Sequence, residues 1–307
     1  MRIFSFILWI LAAFWMPFQA GAEPRKLGVA WVFTDDLMAD PDDGWVERRD
    51  RWRTASGQIS WFWGQGDDAF PGVWQNWELM LGGELITPAS LKNPRPDDRP
   101  LAGLLYSELA YHVHSNDNYM RLAAGLAASG SQTGWDELVV KIHQDRYDPT
   151  DAVLEDQIGN QEWLSFRGEF ARNLSLNGAL LLRPFGILQT GLENLVRAGV
   201  DMLIGPNGVP MTLTRNDTTG FLIWPGKDAP VGWTGLVGGD VSFVMESDLL
   251  PEHRGYETTD FRPRLRAGAV YQGASWRGFY GITWMGEEFE AQPESQLVGS
   301  IQIGYRF

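Results

Sequence analysis

The chain has no cysteine in 307 residues. Disulfides therefore contribute nothing to its stability, even in an oxidising compartment, and a cysteine nucleophile is excluded. Long apolar runs are also missing. Beyond the first 22 residues no segment approaches the roughly 18 uninterrupted apolar residues of a transmembrane helix. Positive charge is scarce: 25 Lys and Arg stand against 39 Asp and Glu, a net charge of −14. That balance excludes nucleic acid as a partner, which needs clustered basic residues. It suits a site that recruits a hard cation such as calcium through carboxylates.

What is present points to a membrane of a different kind. Residues 1–22 carry Arg2, an apolar run from Ile3 to Phe14 and the small-residue ending Ala20-Gly21-Ala22. They read as a cleaved secretory signal, too short to span a bilayer comfortably. At the other end, QLVGSIQIGYRF alternates along an extended strand. Leu297, Ile301, Ile303, Tyr305 and Phe307 fall on one face, with Ser300, Gln302 and Arg306 on the other. A final strand that is apolar outward, mostly polar inward and closed by an aromatic is characteristic of outer-membrane β-barrels. The 15 tryptophans fit this reading, with Trp31, Trp61, Trp63, Trp77, Trp163, Trp276 and Trp284 expected near strand ends as interfacial girdles.

Similar alternation recurs in Leu27–Thr34, Gln58–Trp63, Trp77–Thr87, Leu104–His114, Tyr119–Ala127 and Trp163–Leu174. It continues in Gly178–Gln189, Leu192–Ile204, Gly232–Met245, Pro263–Gln272, Trp276–Trp284 and Leu297–Phe307. The spacing predicts an all-β protein in which residues 23–307 form one antiparallel transmembrane barrel of about 12 strands. The longer polar segments between strands, PNGVPMTLTRNDTTG (206–220) among them, are expected to face outward from the cell. One stretch breaks the two-residue period. From Trp135 to Asp145, Trp135, Leu138, Val139 and Ile142 recur at helical spacing, predicting a short helix that bears His143. A helix capping the barrel mouth is the plain reading of it. Glu108, His112 and His114 read as polar barrel lining, and Arg99 as a loop arginine paired with Asp97 or Asp98.

Several local patterns, taken in order, resemble the outer-membrane lipid A 3′-O-deacylase family. They are FTDDLMADPDDGW (33–45), DRWRTASGQISW (50–61), DDRPLAGLLY (97–106), the His143 helix, EDQIGNQEWLSF (155–166) and SWRGFYGITWMGEEFE (275–290). The resemblance covers nearly all of the chain after the signal and implies a twelve-stranded barrel. The implied activity is calcium-dependent hydrolysis of the 3′-linked acyloxyacyl ester of lipid A, with lipopolysaccharide in the outer membrane of a Gram-negative bacterium as substrate and no obligate protein partner. The family's Asn-Asp pair falls on Thr34 and Asp35, so that Thr34 stands where the family has Asn; Asp36 follows. Its threonine falls on Thr54, its helix histidine on His143, and its basic residues at the oxyanion on Lys92 or Arg95.

The residues themselves are compatible with that chemistry. No Gly-x-Ser-x-Gly elbow is present, so water deprotonated by His143 is a more economical nucleophile than a serine. A calcium ion held by Asp35 and Asp36 would steady the developing oxyanion. By strand alternation Thr34 and Asp36 point away from Asp35, so all three meet at one site only if the strand ends or kinks there. Two other readings stay open: a family scaffold without activity, and a small porin-like channel.

Overall fold

The structure, a computed structural model, describes residues 25–39, 51–65, 73–143, 149–205, 213–225 and 231–307. The expected signal (1–22) and most of the acidic run 39–45 lie outside them. The strands are β1 (Arg25–Asp35), β2 (Trp52–Gln65), β3 (Val73–Thr87), β4 (Ala102–Ser115), β5 (Asn118–Ser129), β6 (Glu162–Arg172), β7 (Leu174–Asn177) and β8 (Leu180–Thr190). They continue with β9 (Glu193–Ile204), β10 (Thr214–Arg215), β11 (Leu222–Ile223), β12 (Gly232–Ser247), β13 (Phe261–Gln272), β14 (Trp276–Met285) and β15 (Gln296–Arg306).

Each of the twelve expected segments is a strand of one antiparallel wall, and β7 continues β6 past Asn173. The wall closes on itself: β15 pairs with β1, and β6 pairs with β8. Closure removes every free edge along the membrane-spanning wall, as lipid requires. The last strand behaves as its pattern dictates. Leu297, Ile301, Ile303, Tyr305 and Phe307 are exposed on the outside, while Val298, Ser300 and Gln302 are fully buried. Among the described residues no helix is long and apolar enough to cross a membrane.

The two ends differ. One carries tight turns, such as Asn116-Asp117 between β4 and β5, where Asn116 adopts the left-handed φ of 50° that a short hairpin needs. Aromatic pairs ring this end, among them Trp77–Tyr111 and Trp233–Tyr271. The other end carries the long connections 88–101, 130–161, 248–260 and 286–295. Short turns mark the periplasmic end of such barrels and long loops the outer end. Trp31, expected near a strand end, instead lies in the middle of β1.

The segment after β9 corrects the outward-loop expectation. It leaves the short-turn end, and its described part, residues 213–225, folds back into the lumen as the hairpin β10–β11. Phe221 stacks edge-on against Phe279, and the Tyr119 hydroxyl donates to the Leu213 carbonyl at 2.9 Å. Arg215 bonds Asp201 at 2.9 Å and Glu169 at 3.2 Å across the lumen. Around the hairpin the inward rows pair charge with charge: Arg264 with Asp240, Arg266 with Asp201 and Asp240, and Arg121 with Glu108 and Glu78. His112 bonds Glu78 at 3.1 Å, so the expected polar lining is present. Desolvated charges persist in such an interior only when paired.

At the outer mouth a different cluster gathers. Glu288, on the 286–295 connection, takes Arg53 Nε at 2.9 Å and the Arg99 guanidinium. Arg99 therefore pairs with a residue 189 positions away, not with Asp97 or Asp98. Asp98 instead accepts from the backbone N–H of Ala89 and Arg99 and fixes the loop. Burial alone would push the Glu288 carboxyl up, but the guanidiniums of Arg53, Arg99 and Arg262 outweigh it and hold the group well below the ordinary carboxylate range.

Candidate active site

The rim where β1 ends is built from two rows of residues that share a register but face opposite ways. On the lumen side Thr34 stands opposite Ser300 and Ser56, and Ser56 opposite Glu84. On the outer side Asp35 stands opposite Gly299 and Ala55, then Leu85 and Gly103 follow. Strand alternation separates the pair: Asp35 belongs to the outer face and Thr34 to the lumen. Thr34 is wholly buried, with its hydroxyl 2.7 Å from that of Ser56. It is thus a wall residue behind the site, not a group that meets a substrate on the outer face.

The strand ends at Asp35, and residues Asp36–Met38 form a single 3-10 turn that crosses the outer face of β15. Gly299 makes room for the crossing, since a Cβ there would stand 2.5 Å from Met38 Cβ. The Tyr280 hydroxyl donates to the Met38 carbonyl at 2.7 Å and pins it. Asp36 returns toward β2, where its Oδ2 accepts the Arg51 N–H at 3.0 Å.

Thr54 reaches the outer side by a different device. A β-bulge shifts the register between Arg53 and Ala55. Arg53 then turns inward to Glu84 and Glu288, while Thr54 Oγ1 lies 2.7 Å from Thr87 Oγ1. Thr87 is two residues from Leu85 along β3 and shares its outer parity. Bulges re-aim side chains in this way.

The helix Trp135–His143 lies against the outside of the wall and does not cap the mouth. Trp135 sits where Gly83 and Gly103 leave space; a Cβ at Gly103 would come 2.3 Å from Trp135 Cβ. Its indole N–H donates to the Leu104 carbonyl at 2.8 Å. Val139 packs with Leu85, Leu91, Leu101 and Val153. Only part of the expected stripe is buried: Leu138 and Ile142 are 40% and 65% exposed. His143 ends the helix, and its side chain is outside the described residues. Helix, Asp35 and Thr54 thus share one face of the rim.

Lys92 is exposed beside Leu91, at the edge of the helix-packing cluster. Arg95 is exposed too but already engaged: it holds Asp97 through two bonds of 3.0 and 2.8 Å and donates to the Ala291 carbonyl. The Arg95 bonds keep the Asp97 carboxyl below its usual value. Of the two expected basic residues, Arg95 is paired with Asp97, whereas Lys92 makes no ion pair among the described residues. For calcium, Asp35 and Asp36 offer hard oxygens of the correct kind. Among the described residues no three Asp, Glu or His side chains gather into a metal-binding group. The described donors alone do not close the shell of about six to eight oxygens that calcium takes.

Sequence reasoning missed the groove that leads to this rim. It runs along the outer wall between Trp31 and Phe33 of β1, Ile301 and Ile303 of β15, and Leu81 and Gly83 of β3, with Gly57 and Ile59 of β2 as its floor; its volume is about 610 Å³. The available signal was glycine inside strands, at positions 57, 82 and 83, since such glycines mark a close approach by something else.

The sequence model of a family described as outer membrane protein LpxR matches residues 7–307. No curated protein matches the chain. Among solved structures, LpxR from Salmonella typhimurium superposes with a TM-score of 0.69 at 14% identity, covering 91% of this chain and all of that one. The β domain of the Bordetella autotransporter BrkA gives 0.48 at 10% identity, covering 92% and 99%. A KdgM porin gives 0.41 at 6% identity, also covering 92% and 99%.

Proposed function

Since the chain belongs to the family of outer membrane protein LpxR, we propose that it is an ester hydrolase of lipid A, removing the 3′-linked acyloxyacyl group from the outer leaflet. The observation that carries this reading is the lipid-facing groove. It is apolar, open toward the bilayer and ends at the rim where Asp35, Thr54 and the His143 helix share a face. A soluble substrate has no use for a groove on that side of the wall. An acyl chain of a lipid does, since each methylene buried there gains about 0.8 kcal/mol.

Within this reading the acyl chain lies between Trp31, Phe33 and Ile301 and presents its ester at the rim. His143 takes a proton from water, which attacks the ester carbonyl; its ordinary pKa near neutrality suits that work. Lys92 supplies positive charge for the oxyanion or for a neighbouring phosphate. The hydroxyl pair Thr54–Thr87 offers a donor at the same face. Asp35 and Asp36 would help hold a calcium ion, which would add Lewis-acid stabilisation when present. Thr34 acts only through the wall. The porin-like reading is disfavoured by the lumen, which among the described residues is occupied by the β10–β11 hairpin and its ion pairs.

Mass spectrometry of lipid A from cells expressing the protein tests the proposal. Wild type should remove a 3′ acyl group, and His143→Ala should leave the full acyl pattern while still inserting as a folded barrel. Removal that persists in His143→Ala would sink the base assignment; an unchanged pattern in wild type would sink the hydrolase reading.

A further inference from the structure

The lumen hairpin does more than fill space, because its tip joins two walls. Arg264 of β13 donates to the Asp217 and Thr218 carbonyls and Arg167 of β6 pairs with Asp217, while the tip side chains reach β2, β3 and β15 and, through Ser56, β1. Thr218 Oγ1 lies 3.1 Å from Glu84 Oε1 and 3.3 Å from Ser56 Oγ. Ser56 Oγ is in turn 2.7 Å from Thr34 Oγ1. One line of hydroxyls therefore runs from β3 through the hairpin to β2 and β1. Asn216 Nδ2 donates to Gln58 Oε1 at 3.1 Å, and Thr219 Oγ1 lies 3.3 Å from Ser300 Oγ on β15.

Each wall residue touched here is adjacent in sequence to a residue of the outer-face site. Thr34 precedes Asp35, Ser56 and Gln58 flank Gly57, and Ser300 separates Gly299 from Ile301. The tip itself is preformed: Asn216 Oδ1 accepts the backbone N–H and the hydroxyl of Thr219, at 2.9 and 2.8 Å. Gly220 takes a left-handed φ of 75° to close the turn.

We propose that the hairpin tip, residues 216–219, is a positioning device for the outer-face site, bracing β1, β2 and β15 from the lumen so that Asp35 and the groove keep their shape. The wall at this point needs such a brace. Its inner side chains, Ser56, Gln58 and Ser300, are small or polar and pack no apolar core of their own. Gly57, at the centre of the groove, has nothing within 4 Å of the place its Cβ would occupy. A two-sided wall without packing on its outer side takes its rigidity from the inner one. The consequence for rate rests on the hydrolase reading; the brace itself does not.

Thr218→Val keeps the shape of the side chain and removes the hydroxyl. Purified wild type and variant, in outer-membrane-like vesicles containing lipopolysaccharide, are compared by hydrogen exchange and by steady-state deacylation. The expected result is faster exchange at residues 34–35 and 56–58, with kcat down by about tenfold or more and KM unchanged, since small misplacements of a site cost that much. Thr218→Ser should restore both. Tyr119→Phe, which frees the base of the hairpin at the opposite wall, should change neither. If Thr218→Val does not fold, judged by the electrophoretic shift between boiled and unboiled protein, Ser56→Ala breaks the same line from the wall side and carries the same expectation. Wild-type exchange in the variant overturns the brace, and faster exchange with unchanged kcat overturns its positioning role. Should wild type itself leave lipid A intact, the exchange result still decides the brace, and only the hydrolase reading fails.

Discussion

Filling the groove with a side chain is the sharpest test of how a substrate would be held. Gly57 stands on the lipid side of β2, opposite Phe33 of β1 and Gly83 of β3. A Cβ added there meets no atom within 4 Å, so Gly57→Phe has room to project into the groove without moving the wall. A strand-interior glycine also weakens its strand, and an aromatic on a lipid-facing position favours it. The folded barrel should therefore be as stable as wild type or slightly more so. The substrate is affected differently. A phenyl ring on the groove floor displaces three or four methylenes of an acyl chain, each worth about 0.8 kcal/mol when buried. The loss of about 2.4–3.2 kcal/mol corresponds to a roughly 50- to 200-fold fall in kcat/KM, at about 1.4 kcal/mol per tenfold. The assay is deacylation of lipid A in mixed micelles, beside a short-chain ester that does not fill the groove. The long-chain rate should fall and the short-chain rate should hold. Equal rates of wild type and Gly57→Phe on the long-chain substrate would refute the groove as an acyl site, and an equal loss on both substrates would point to damage at the rim instead.

Glu288→Gln should destabilise the outer mouth by about 3–5 kcal/mol, because it leaves the buried Arg99 guanidinium without its carboxylate and Arg53 with Glu84 but not Glu288; urea midpoints read by gel shift would show it. The same group carries an acid dependence. Its folded pKa lies below the unfolded value near 4.3, so its contribution is full above that value and is lost as pH falls toward the folded one. Glu288→Gln should therefore flatten the decline of the urea midpoint below about pH 4.3, and an unaltered decline would refute the assignment. Chelation of calcium should abolish deacylation while the barrel remains folded, and Asp35→Asn should raise the calcium needed for half-maximal rate. A chelator-insensitive wild type removes the ion from the mechanism.

The barrel was readable from the sequence because lipid enforces a rule that each strand obeys separately. With apolar side chains out and polar ones in, QLVGSIQIGYRF and eleven weaker segments announce themselves by a period of two. The lumen hairpin was not readable for the same reason. A segment buried among ion pairs keeps the composition of a solvated loop, and RNDTTG looks alike in water and in a polar lumen. Arg99 was misassigned because its partner, Glu288, is distant in sequence while Asp97 and Asp98 adjoin it. The faces of the candidate site were legible only in part. Alternation correctly set Thr34 against Asp35, but the bulge at Arg53 shifts Thr54 out of phase, and no pattern of residue types marks a bulge of this kind.

The seam between β1 and β15 has a consequence for biogenesis. Asp35 and Phe33 belong to the first strand, and their neighbours Gly299 and Ile301 to the last, more than 260 positions later. The rim and its groove therefore do not exist on any partial chain, nor on a complete chain crossing the periplasm before its ends meet. On the hydrolase reading, a surface assembled only by the final pairing step is harmless to every membrane the polypeptide passes on its way, and comes into being where the barrel closes.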